Sequence, residues 1–371
     1  MSNRARVIAF YLPQFHPIPE NDKWWGKGFT EWTNVGKAKP LFRGHNQPRV
    51  PTDLGYYDLR LPIVREQQAE MAREAGVEGF CYWHYWFGNG KTLLSEIFEE
   101  VLNTGKPDFP FCLGWANHSW TRRNWNSSAA YEEEMDLIEQ KYPGDEDYTE
   151  HFYNVLPAFM DHRYLTIEGK PIFLLYNPVS IPDYDHFVEL WNSLAIKNGL
   201  KGIYFVLHAQ SVEVVKGEVY TYKGDSFTTE HFSQAQCKIK NGLFFRTMQK
   251  LRTIVPKLVP VAQFNYEDII NHWFDDHDLA GNAFPMIIPQ WDRSPRSGCW
   301  ANVYVGSSPD LFRKHVKDAF DIVSNRDMDH RVIFLKSWNE WAEGNYMEPD
   351  VTWGHGFLDA LRDVIVKKEN I

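Results

Sequence analysis

Short apolar runs alternate with longer amphipathic stretches along most of this chain. The runs are rich in β-branched and aromatic residues and are almost continuously apolar, which is typical of parallel strands covered on both faces. Turn residues bound each of them. We predict eight such strands, over Val7 to Leu12, Gly79 to Tyr85, Phe109 to Trp115, Pro171 to Tyr176, Gly202 to His208, Asp225 to Thr229, Phe284 to Pro289 and Arg331 to Lys336.

The stretches between these runs carry apolar residues at helical spacing. Leu59 to Ala75 shows the pattern most clearly, and it ends at Gly76. Further predicted helices are Tyr148 to Arg163, Tyr184 to Asn198, Asp310 to Ser324 and Gly356 to Lys368. Strands that alternate with helices predict an α/β fold, a single-domain (β/α)8 TIM barrel over residues 1–371 with long βα loops. A doubly wound sheet is the alternative, and the missing GxGxxG motif after the first strand disfavours it.

Two insertions lengthen the predicted loops. One, near residues 18–51, follows the first strand and is rich in Trp, Gly, Pro and Asn. The other, near residues 238–257, carries basic and apolar residues and no acidic one. Its pattern favours a helix that docks on the barrel with a solvated basic face. The alternative is peripheral contact with an anionic membrane, or capture of an acidic, lipid-linked substrate.

Composition and charge narrow the class of protein. The chain has 371 residues, of which 43% are hydrophobic and 24% charged, as in a soluble globular protein. Its net charge of −10 argues against a nucleic-acid partner. The cysteines form no CxxC pair, and the N-terminus makes a poor signal peptide. We therefore expect a cytoplasmic protein.

Aromatic residues are unusually frequent, with 15 Trp, 18 Tyr and 25 Phe. Many stand beside polar residues where predicted strands end, and in a barrel the carboxyl ends of the strands form the functional face. Sugars need such surroundings, because their hydroxyl groups hydrogen bond while their C–H faces pack on aromatic rings. We predict an oligosaccharide or polysaccharide substrate. The candidate substrate-binding residues are Tyr11, His16, Trp25, Glu31, Trp32, Trp83, His84, Tyr85, Trp115, Asn117, His118, Tyr176, His208, Glu230, Trp291, Asp292, Arg293, Trp338 and Asn339.

Glu340 and Glu343 are the candidate catalytic residues. Glycosyl transfer commonly needs two carboxyl groups, one that donates a proton and one that acts as base or nucleophile. Two glutamates three positions apart after the last strand can point into one pocket, and the neighbouring Trp338 and Trp341 would raise the pKa of one carboxyl. The alternative interpretation is that one glutamate caps a helix or pairs with an arginine.

Other chemistries find little support in the sequence. Histidines fall on separate strands without an HxH or HExxH pattern, so we predict no metal site. There is no GxSxG elbow and no P-loop, which disfavours a serine hydrolase or an NTPase. We expect no cofactor.

Several of these segments resemble the WbsX family. They read FYLPQFH at 10–16, GFTEW at 28–32, GFCYWHYW at 79–86, WAN at 115–117 and SWNEWAEG at 337–344. The family is labelled as glycosyltransferases of bacterial polysaccharide and O-antigen gene clusters. It looks related to the family 99 glycoside hydrolases, the endo-α-mannosidases.

The resemblance implies a (β/α)8 barrel and a mechanism that retains configuration through a 1,2-anhydro sugar. Glu340 would then deprotonate the 2-hydroxyl of the substrate, and Glu343 would act as general acid and then as base. His118 follows Asn117, and Arg293 and Arg296 stand close together. The two arginines hint at an acidic or modified sugar.

Three functions follow from these observations. The leading hypothesis is a glycosidase or transglycosidase, since no Rossmann-type nucleotide site is evident for a nucleotide-sugar donor. The first alternative is a glycosyltransferase of O-antigen or capsular polysaccharide biosynthesis. The second is a barrel that binds glycans without catalysis, which would not need two titratable acids in this arrangement.

Overall fold

The computed structural model describes residues 3–121, 136–210, 219–240, 242–255 and 259–367. At the centre of these residues lies a sheet of parallel strands, each almost entirely buried. The strands are β1 (Arg6–Tyr11), β2 (Val77–Trp86), β3 (Phe111–Trp115), β4 (Lys170–Leu175), β5 (Tyr204–Ala209), β6 (Ser226–Thr229), β7 (Met286–Ile287) and β8 (Val332–Leu335).

The strands follow the order β6-β5-β4-β3-β2-β1-β8-β7, and the sheet curls until its two edges approach. Every pair along this path is parallel. A single parallel bridge between Phe227 of β6 and Ala283 joins the edges. There the amide of Phe227 donates to the carbonyl of Asn282 at 3.0 Å, and that of Phe284 donates to Phe227 at 2.7 Å. The predicted (β/α)8 barrel is confirmed, as a nearly closed one.

Helices connect most of the strands. All five predicted helices are present, although the second begins and ends earlier than predicted, at Asp145–Phe159. Just beyond the carboxyl end of this helix the chain turns, and the carboxylate of Asp161 accepts a hydrogen bond from the backbone amide of Arg163. Lys368, the predicted end of the last helix, lies outside the described residues. The helices are α1 (Pro19–Trp25), α2 (Glu31–Lys37), α3 (Pro62–Glu74), α4 (Glu96–Thr104), α5 (Asp145–Phe159), α6 (Tyr184–Lys197), α7 (Phe232–Ile239), α8 (Leu243–Ile254), α9 (Tyr266–Asn271), α10 (Ser294–Ser297), α11 (Pro309–Val323) and α12 (Gly356–Ile365).

Short strands decorate the barrel loops and fix their ends. They are Thr92–Leu93 paired with β2, Trp120–Thr121 with Asp136–Ile138, Thr166–Ile167 with β4, Ala262–Asn265 with Asn302–Val305, and Asn339–Glu340 with Asn345–Tyr346. Among the described helices, none combines the length and the apolar character that crossing a membrane requires.

The two predicted insertions differ in what they contribute. Residues 18–51 form α1 and α2, and Thr30 caps α2 through a reciprocal pair of hydrogen bonds with Thr33. In the segment 238–257, which holds the end of α7 and all of α8, Arg252 and Lys240 donate to backbone carbonyls of Pro260 and Gln263. Residues 241, 256 and 257 of that segment lie outside the described residues, and membrane contact stays a prediction.

Aromatic rings fill the barrel interior up to the level of the strand ends. Phe10 of β1 stacks on Trp83 of β2 at 4.7 Å and on Phe334 of β8 at 5.3 Å between ring centroids. Gly114 of β3 leaves room for this stack, because a Cβ there would lie 3.2 Å from the Trp83 ring. Trp83 is therefore the last layer of the packed core at the carboxyl ends of the strands.

Candidate active site

A cavity of about 400 Å³ opens where the carboxyl ends of the strands meet. The loops that follow barrel strands build functional sites at this end. Its wall combines aromatic rings with charged and amide side chains, which suits a ligand that stacks and hydrogen bonds. The described residues that line it are Leu12, Trp83, Tyr85, Ala116, His118, Trp120, Tyr176, Asn177, Gln210, Arg293, Arg296, Lys336, Glu340 and Glu343.

A larger cavity, of about 860 Å³, lies at the opposite end of the barrel beside the first residues of β1 and β2. Three of its charged side chains are paired with one another, since Arg6 lies 2.8 Å from Glu78 and 2.9 Å from Asp329. That end of a barrel serves stability rather than chemistry. We therefore place the candidate active site at the carboxyl ends of the strands.

Glu340 and Glu343 lie in one tight turn after β8, where Glu340 ends a short strand and Glu343 ends a 3-10 turn. Gly344 follows with a φ of 62°, and a Cβ there would lie 2.8 Å from the backbone nitrogen of Asp292. Only glycine meets both requirements. The same nitrogen donates to the carbonyl oxygen of Glu343 at 2.8 Å, which fixes the turn against the loop after β7.

Arg296 holds the two glutamates together. Its Nη1 donates to Oε1 of Glu343 at 2.7 Å, and its Nη2 donates to Oε2 of Glu340 at 3.1 Å. From behind, Nη2 also lies 3.0 Å from Oε2 of Glu31, whose side chain is fully buried. One guanidinium thus orients both carboxylates at the cavity wall, and a planar fork of donors is well suited to that.

The two carboxyl groups are driven apart in pKa. Burial raises the pKa of Glu340 to about 7, and the negative charges of Glu343 and Glu31 act in the same direction against the attraction of Arg296. Burial also disfavours ionisation of Glu343, but Arg296 and Arg293 outweigh it and hold its pKa below the ordinary value. The first proton therefore goes to Glu340.

A second ion pair stands beside the glutamates. Lys336, which follows β8, pairs with the buried carboxylate of Glu230, and His208 Nε2 lies 3.1 Å from the same carboxylate oxygen. Burial opposes the charge on Glu230, but Lys336 and His208 outweigh it and lower its pKa to about 2. Lys336 therefore brings a positive charge to the cavity that is largely neutralised from below.

Aromatic rings supply the apolar part of the cavity wall. Tyr176 stands edge-on to Trp83, with ring centroids 5.5 Å apart, and His118 lies 5.1 Å from Tyr176. Trp120 meets Tyr85 edge-on at 5.1 Å. Burial lowers the pKa of His118 to about 4, so this ring is neutral near pH 7 and offers a hydrogen bond rather than a charge.

Seven of the candidate site residues come together in this cavity, namely Trp83, Tyr85, His118, Tyr176, Arg293, Glu340 and Glu343. Glu31, Glu230 and His208 lie behind the cavity wall, where Glu31 contacts Arg296, Glu230 contacts Lys336, and His208 contacts Glu230. The others lie elsewhere, in four groups.

Strand alternation turns some candidates away from the cavity. Successive side chains of a strand point to opposite faces, and Tyr11, His84 and Trp115 point to the helix layer. The hydroxyl of Tyr11 donates to Gln68 of α3 at 2.7 Å, and His84 Nε2 lies 2.9 Å from His151 Nε2 of α5. Trp115 packs edge-on against His151 at 4.7 Å.

Two asparagines at the strand ends hydrogen bond to backbone instead of facing the cavity. The side-chain nitrogen of Asn117 donates to the carbonyl of Asn177 at 2.7 Å, and its oxygen accepts from the amide of Asn177 at 2.7 Å. Asn339 forms the same reciprocal pair with Leu12, at 2.8 and 3.0 Å. Both therefore position loops that do line the cavity.

Asp292 and Trp291 stabilise the loop after β7. The carboxylate of the fully buried Asp292 accepts from Gln47 at 2.7 Å and lies 2.7 Å from His45 Nε2, which ties this loop to the insertion after β1. Burial disfavours the ionised form of Asp292, but His45, Ser294 and Arg49 outweigh it and hold its pKa below the ordinary value. Trp291 packs on Phe232 of α7 at 4.2 Å.

Of the remaining candidates, His16, Trp25 and Trp32 lie in or beside the first insertion, and Trp338 follows β8. Burial lowers the pKa of His16 to about 4. Trp32 donates its indole N–H to the carbonyl of Tyr57 at 2.7 Å. Trp25 lies against Phe29, and Trp338 is fully buried. None of these four is among the described residues that line the cavity.

The cavity also contains residues outside the set of candidate site residues. Lys336 is the last residue of its predicted strand, Gln210 follows His208 at the end of β5, and Arg296 was noted only as a neighbour of Arg293. Trp120 and Asn177 stand one to three positions beyond candidates. Position just after a strand end was the available signal for each of them.

One group of side chains has the spacing of metal ligands, namely His231, Asp275 and Asp278, whose donor atoms lie within 4.8 Å of one another. Each is hydrogen bonded within the group or to Gln234: His231 Nε2 lies 3.0 Å from Asp278, and Gln234 donates to Asp275 at 2.7 Å. The group ties the start of α7 to the chain after α9. It does not line the cavity.

A barrel whose strand ends gather two buried glutamates among aromatic rings is typical of enzymes that act on carbohydrate. Comparison with known proteins gives the family. The model of the WbsX glycosyltransferase family matches residues 7–361, and this chain belongs to that family.

Relatives and solved structures agree with this assignment. The protein WxcX from two strains of Xanthomonas campestris pv. campestris, itself uncharacterised, is 34% identical over 373 residues and 99% of this chain. The chain spans about half the length of these relatives, 50% in each case.

The similar solved structures share the fold at low identity. A glycoside hydrolase-like protein has a TM-score of 0.60 at 14% identity, with 99% of this chain and 95% of that chain covered. A GH99 endo-α-mannosidase from Bacteroides thetaiotaomicron, in complex with bis-tris-propane, has a TM-score of 0.55 at 14% identity, with 98% and 96% covered. The resemblance to the family 99 hydrolases therefore holds for the fold.

Proposed function

We propose that the protein is a glycosidase or transglycosidase that acts on a bacterial oligosaccharide or polysaccharide through Glu340 and Glu343. The observation that carries the proposal is the clamp by Arg296, which holds both carboxylates at the wall of one cavity. Two titratable carboxyl groups with opposite pKa shifts are what acid and base catalysis of glycosyl transfer requires.

The similarity to the family 99 hydrolases supplies an order of steps. Glu340 takes the proton of the substrate 2-hydroxyl while the 2-oxygen of the sugar attacks the anomeric carbon. Glu343 gives a proton to the leaving oxygen as the glycosidic bond breaks. Water, or an acceptor hydroxyl, then opens the 1,2-anhydro ring, with Glu343 taking the proton and Glu340 returning one to the 2-oxygen. Two inversions at the anomeric carbon leave its configuration retained.

The charges around the two glutamates favour the opposite distribution of the proton. Glu340 has the raised pKa and Glu343 the lowered one, whereas the steps above need Glu343 protonated. The reactive form is then the minor one of the two singly protonated forms, unless the bound substrate changes the surroundings of Glu343.

Transfer from a nucleotide sugar is the second candidate, and the name of the family favours it. Against it, the loop after β1 has no GxGxxG sequence. Isothermal titration with nucleotide sugars separates the two, because the glycosidase proposal predicts no binding.

The direct test is a screen of α- and β-linked aryl glycosides and bacterial polysaccharides, with product configuration followed by NMR. On a substrate found in this way, Glu340→Gln and Glu343→Gln should each lower turnover by a factor of about 1,000 or more and leave glycan binding in place. Glu189→Gln, on the exposed face of α6, is the control and should retain full activity.

Each outcome bears on one hypothesis. Inverted product configuration, or full activity of both glutamate variants, would refute the proposed mechanism. Glycan binding without turnover of any substrate would favour a barrel that binds glycans without catalysis.

A further inference from the structure

Arg293 lies at the cavity wall directly after Asp292 in the chain. The hydrogen bonds of Asp292 to the first insertion fix the position of this loop. The Nε of Arg293 lies 3.2 Å from Oε1 of Glu343, and 37% of its side chain is exposed. Because an arginine carries five N–H donors, this contact leaves the two terminal nitrogens without a partner among the described residues.

The other two cations of the cavity are differently placed. Arg296 is 7% exposed and contacts three carboxylates, and Lys336 is 11% exposed and pairs with Glu230. Their charges are used inside the protein. Among the described residues that line the cavity, Arg293 is the cation presented to a ligand.

We propose that Arg293 binds an anionic group, a carboxylate or phosphate, on the sugar unit that lies against Glu343. This inference rests on the proposed function, because it takes the cavity to be the glycan site. A guanidinium matches both groups through two parallel hydrogen bonds. Asn177, Gln210 and His118 line the same cavity and offer uncharged hydrogen-bonding groups to the sugar hydroxyls.

The position of Arg293 links such a group to the chemistry. Arg293 stabilises the ionised form of Glu343 and contributes to its lowered pKa. An anion that pairs with Arg293 offsets this effect, so the pKa of Glu343 rises when substrate is bound. The proton that the general acid needs would then be favoured by the substrate itself.

The test compares sugars that differ in charge alone, by ligand-observed NMR and isothermal titration. Methyl α-glucuronide is set against methyl α-glucoside, and mannose 6-phosphate against mannose, so that carboxylate and phosphate are separate arms. We expect at least one anionic sugar to bind roughly tenfold or more tightly than its neutral parent, as for a charge-assisted hydrogen bond. The preference should weaken as salt is raised.

Three variants locate the effect. Arg293→Met should abolish the preference for the anionic sugar, and Arg293→Lys, which keeps the charge but not the fork, should retain part of it. Arg313→Met, at a side chain of matched exposure on α11 (38%), should bind as the wild type does. Circular dichroism and thermal unfolding establish that each variant is folded.

The proposal is overturned if no anionic sugar binds better than its neutral parent, or if folded Arg293→Met keeps the preference. Neither result touches the proposed function, because loss of turnover in Glu340→Gln and Glu343→Gln is measured independently. Conversely, an anion preference in a protein that turns over no glycan would support the anion subsite at Arg293 and contradict the proposed glycosidase function.

Discussion

Glu31 and Arg296 form an ion pair of 3.0 Å beneath the cavity, although they lie 265 positions apart in the chain. The Glu31 side chain is fully buried, and that of Arg296 is 7% exposed. Glu31 does not line the cavity, so it acts on the site through the arginine that clamps Glu340 and Glu343. It is a positioning residue, with an electrostatic effect on both glutamates.

Glu31→Gln tests this role, since it keeps the shape of the side chain and removes its charge. The negative charge of Glu31 helps to raise the pKa of Glu340, so the variant should show a lower pKa for the upper limb of kcat/KM against pH. We expect turnover to fall by a factor of about 10, the effect of a misplaced catalytic group. Glu31→Asp should restore part of the rate. An unshifted upper limb would show that Glu31 is merely structural.

The pH dependence of the wild-type enzyme follows from the two glutamates. One proton must be shared between them for catalysis, so kcat/KM should be bell-shaped. The upper limb should fall near pH 7, where Glu340 loses its proton, and the lower limb below the ordinary pKa of a glutamic acid, where Glu343 gains one. The measurement is kcat/KM from pH 3 to 9 at constant ionic strength.

Arg293→Met provides the matching control for the lower limb. Arg293 helps to hold the pKa of Glu343 down, so its removal should move the lower limb to higher pH and leave the upper limb near 7. A lower limb that stays in place, or moves to lower pH, would contradict this account of the Glu343 pKa.

The barrel could be predicted from the sequence because its strands are apolar on both faces and are separated by clear helical patterns. The same property hid the direction of the side chains. In β2 both faces are buried, so nothing in the pattern distinguished Trp83, which points into the barrel, from His84, which points to α5. The direction of each side chain becomes clear only when the strands are paired in the folded barrel.

The candidate site was predicted in part for a similar reason. Glu340 and Glu343 stand in one turn after the last strand, and that local position was visible. The clamp by Arg296 joins residues 44 and 47 positions apart, and the support by Glu31 and the bonding of Asp292 to Gln47 join residues 265 and 245 positions apart. Local spacing carries no information about such contacts. The buried Glu31 and Glu230 were therefore predicted to bind substrate, although neither lines the cavity.

Lys336→Met should destabilise the protein in a pH-dependent way. The variant removes the lysine charge that pairs with the buried carboxylate of Glu230, at a cost of about 3 kcal/mol near pH 7. In the wild type the pKa of Glu230 is lowered to about 2, so the stabilisation is present above the ordinary pKa of a glutamic acid and is lost as pH falls toward 2.

In Lys336→Met the pKa of Glu230 should rise, because the charge of Lys336 no longer offsets burial. The loss of stability should then shrink at pH 4, where the carboxyl can be protonated. Denaturant unfolding at pH 7 and pH 4 measures both values. Adding Glu230→Gln to the variant should recover part of the stability at pH 7. Lys317→Met, in an exposed pair on α11, is the control and should leave unfolding unchanged. An equal loss at the two pH values would contradict the ion-pair account.

Glu348 stabilises the turn that carries Glu340 and Glu343. Its buried carboxyl group accepts hydrogen bonds from Tyr57 at 2.9 Å, Gln68 at 2.6 Å and the indole of Trp341 at 2.5 Å. Trp341 stands between the two catalytic candidates in the chain. Burial raises the pKa of Glu348 to about 7 in spite of these donors.

Because the folded-state pKa of Glu348 is raised, its favourable contribution is complete below the ordinary pKa of a glutamic acid and is lost as pH rises through about 7. Glu348→Gln removes this titration, so the free energy of unfolding of the variant, relative to wild type, should be more favourable at pH 8 than at pH 5. The difference should be about 2 kcal/mol, from the size of the pKa shift. Glu348→Ala leaves three buried donors without an acceptor and should cost about 3 kcal/mol or more at both pH values. If Glu348→Gln followed wild type equally at pH 5 and pH 8, Glu348 would not titrate in this range.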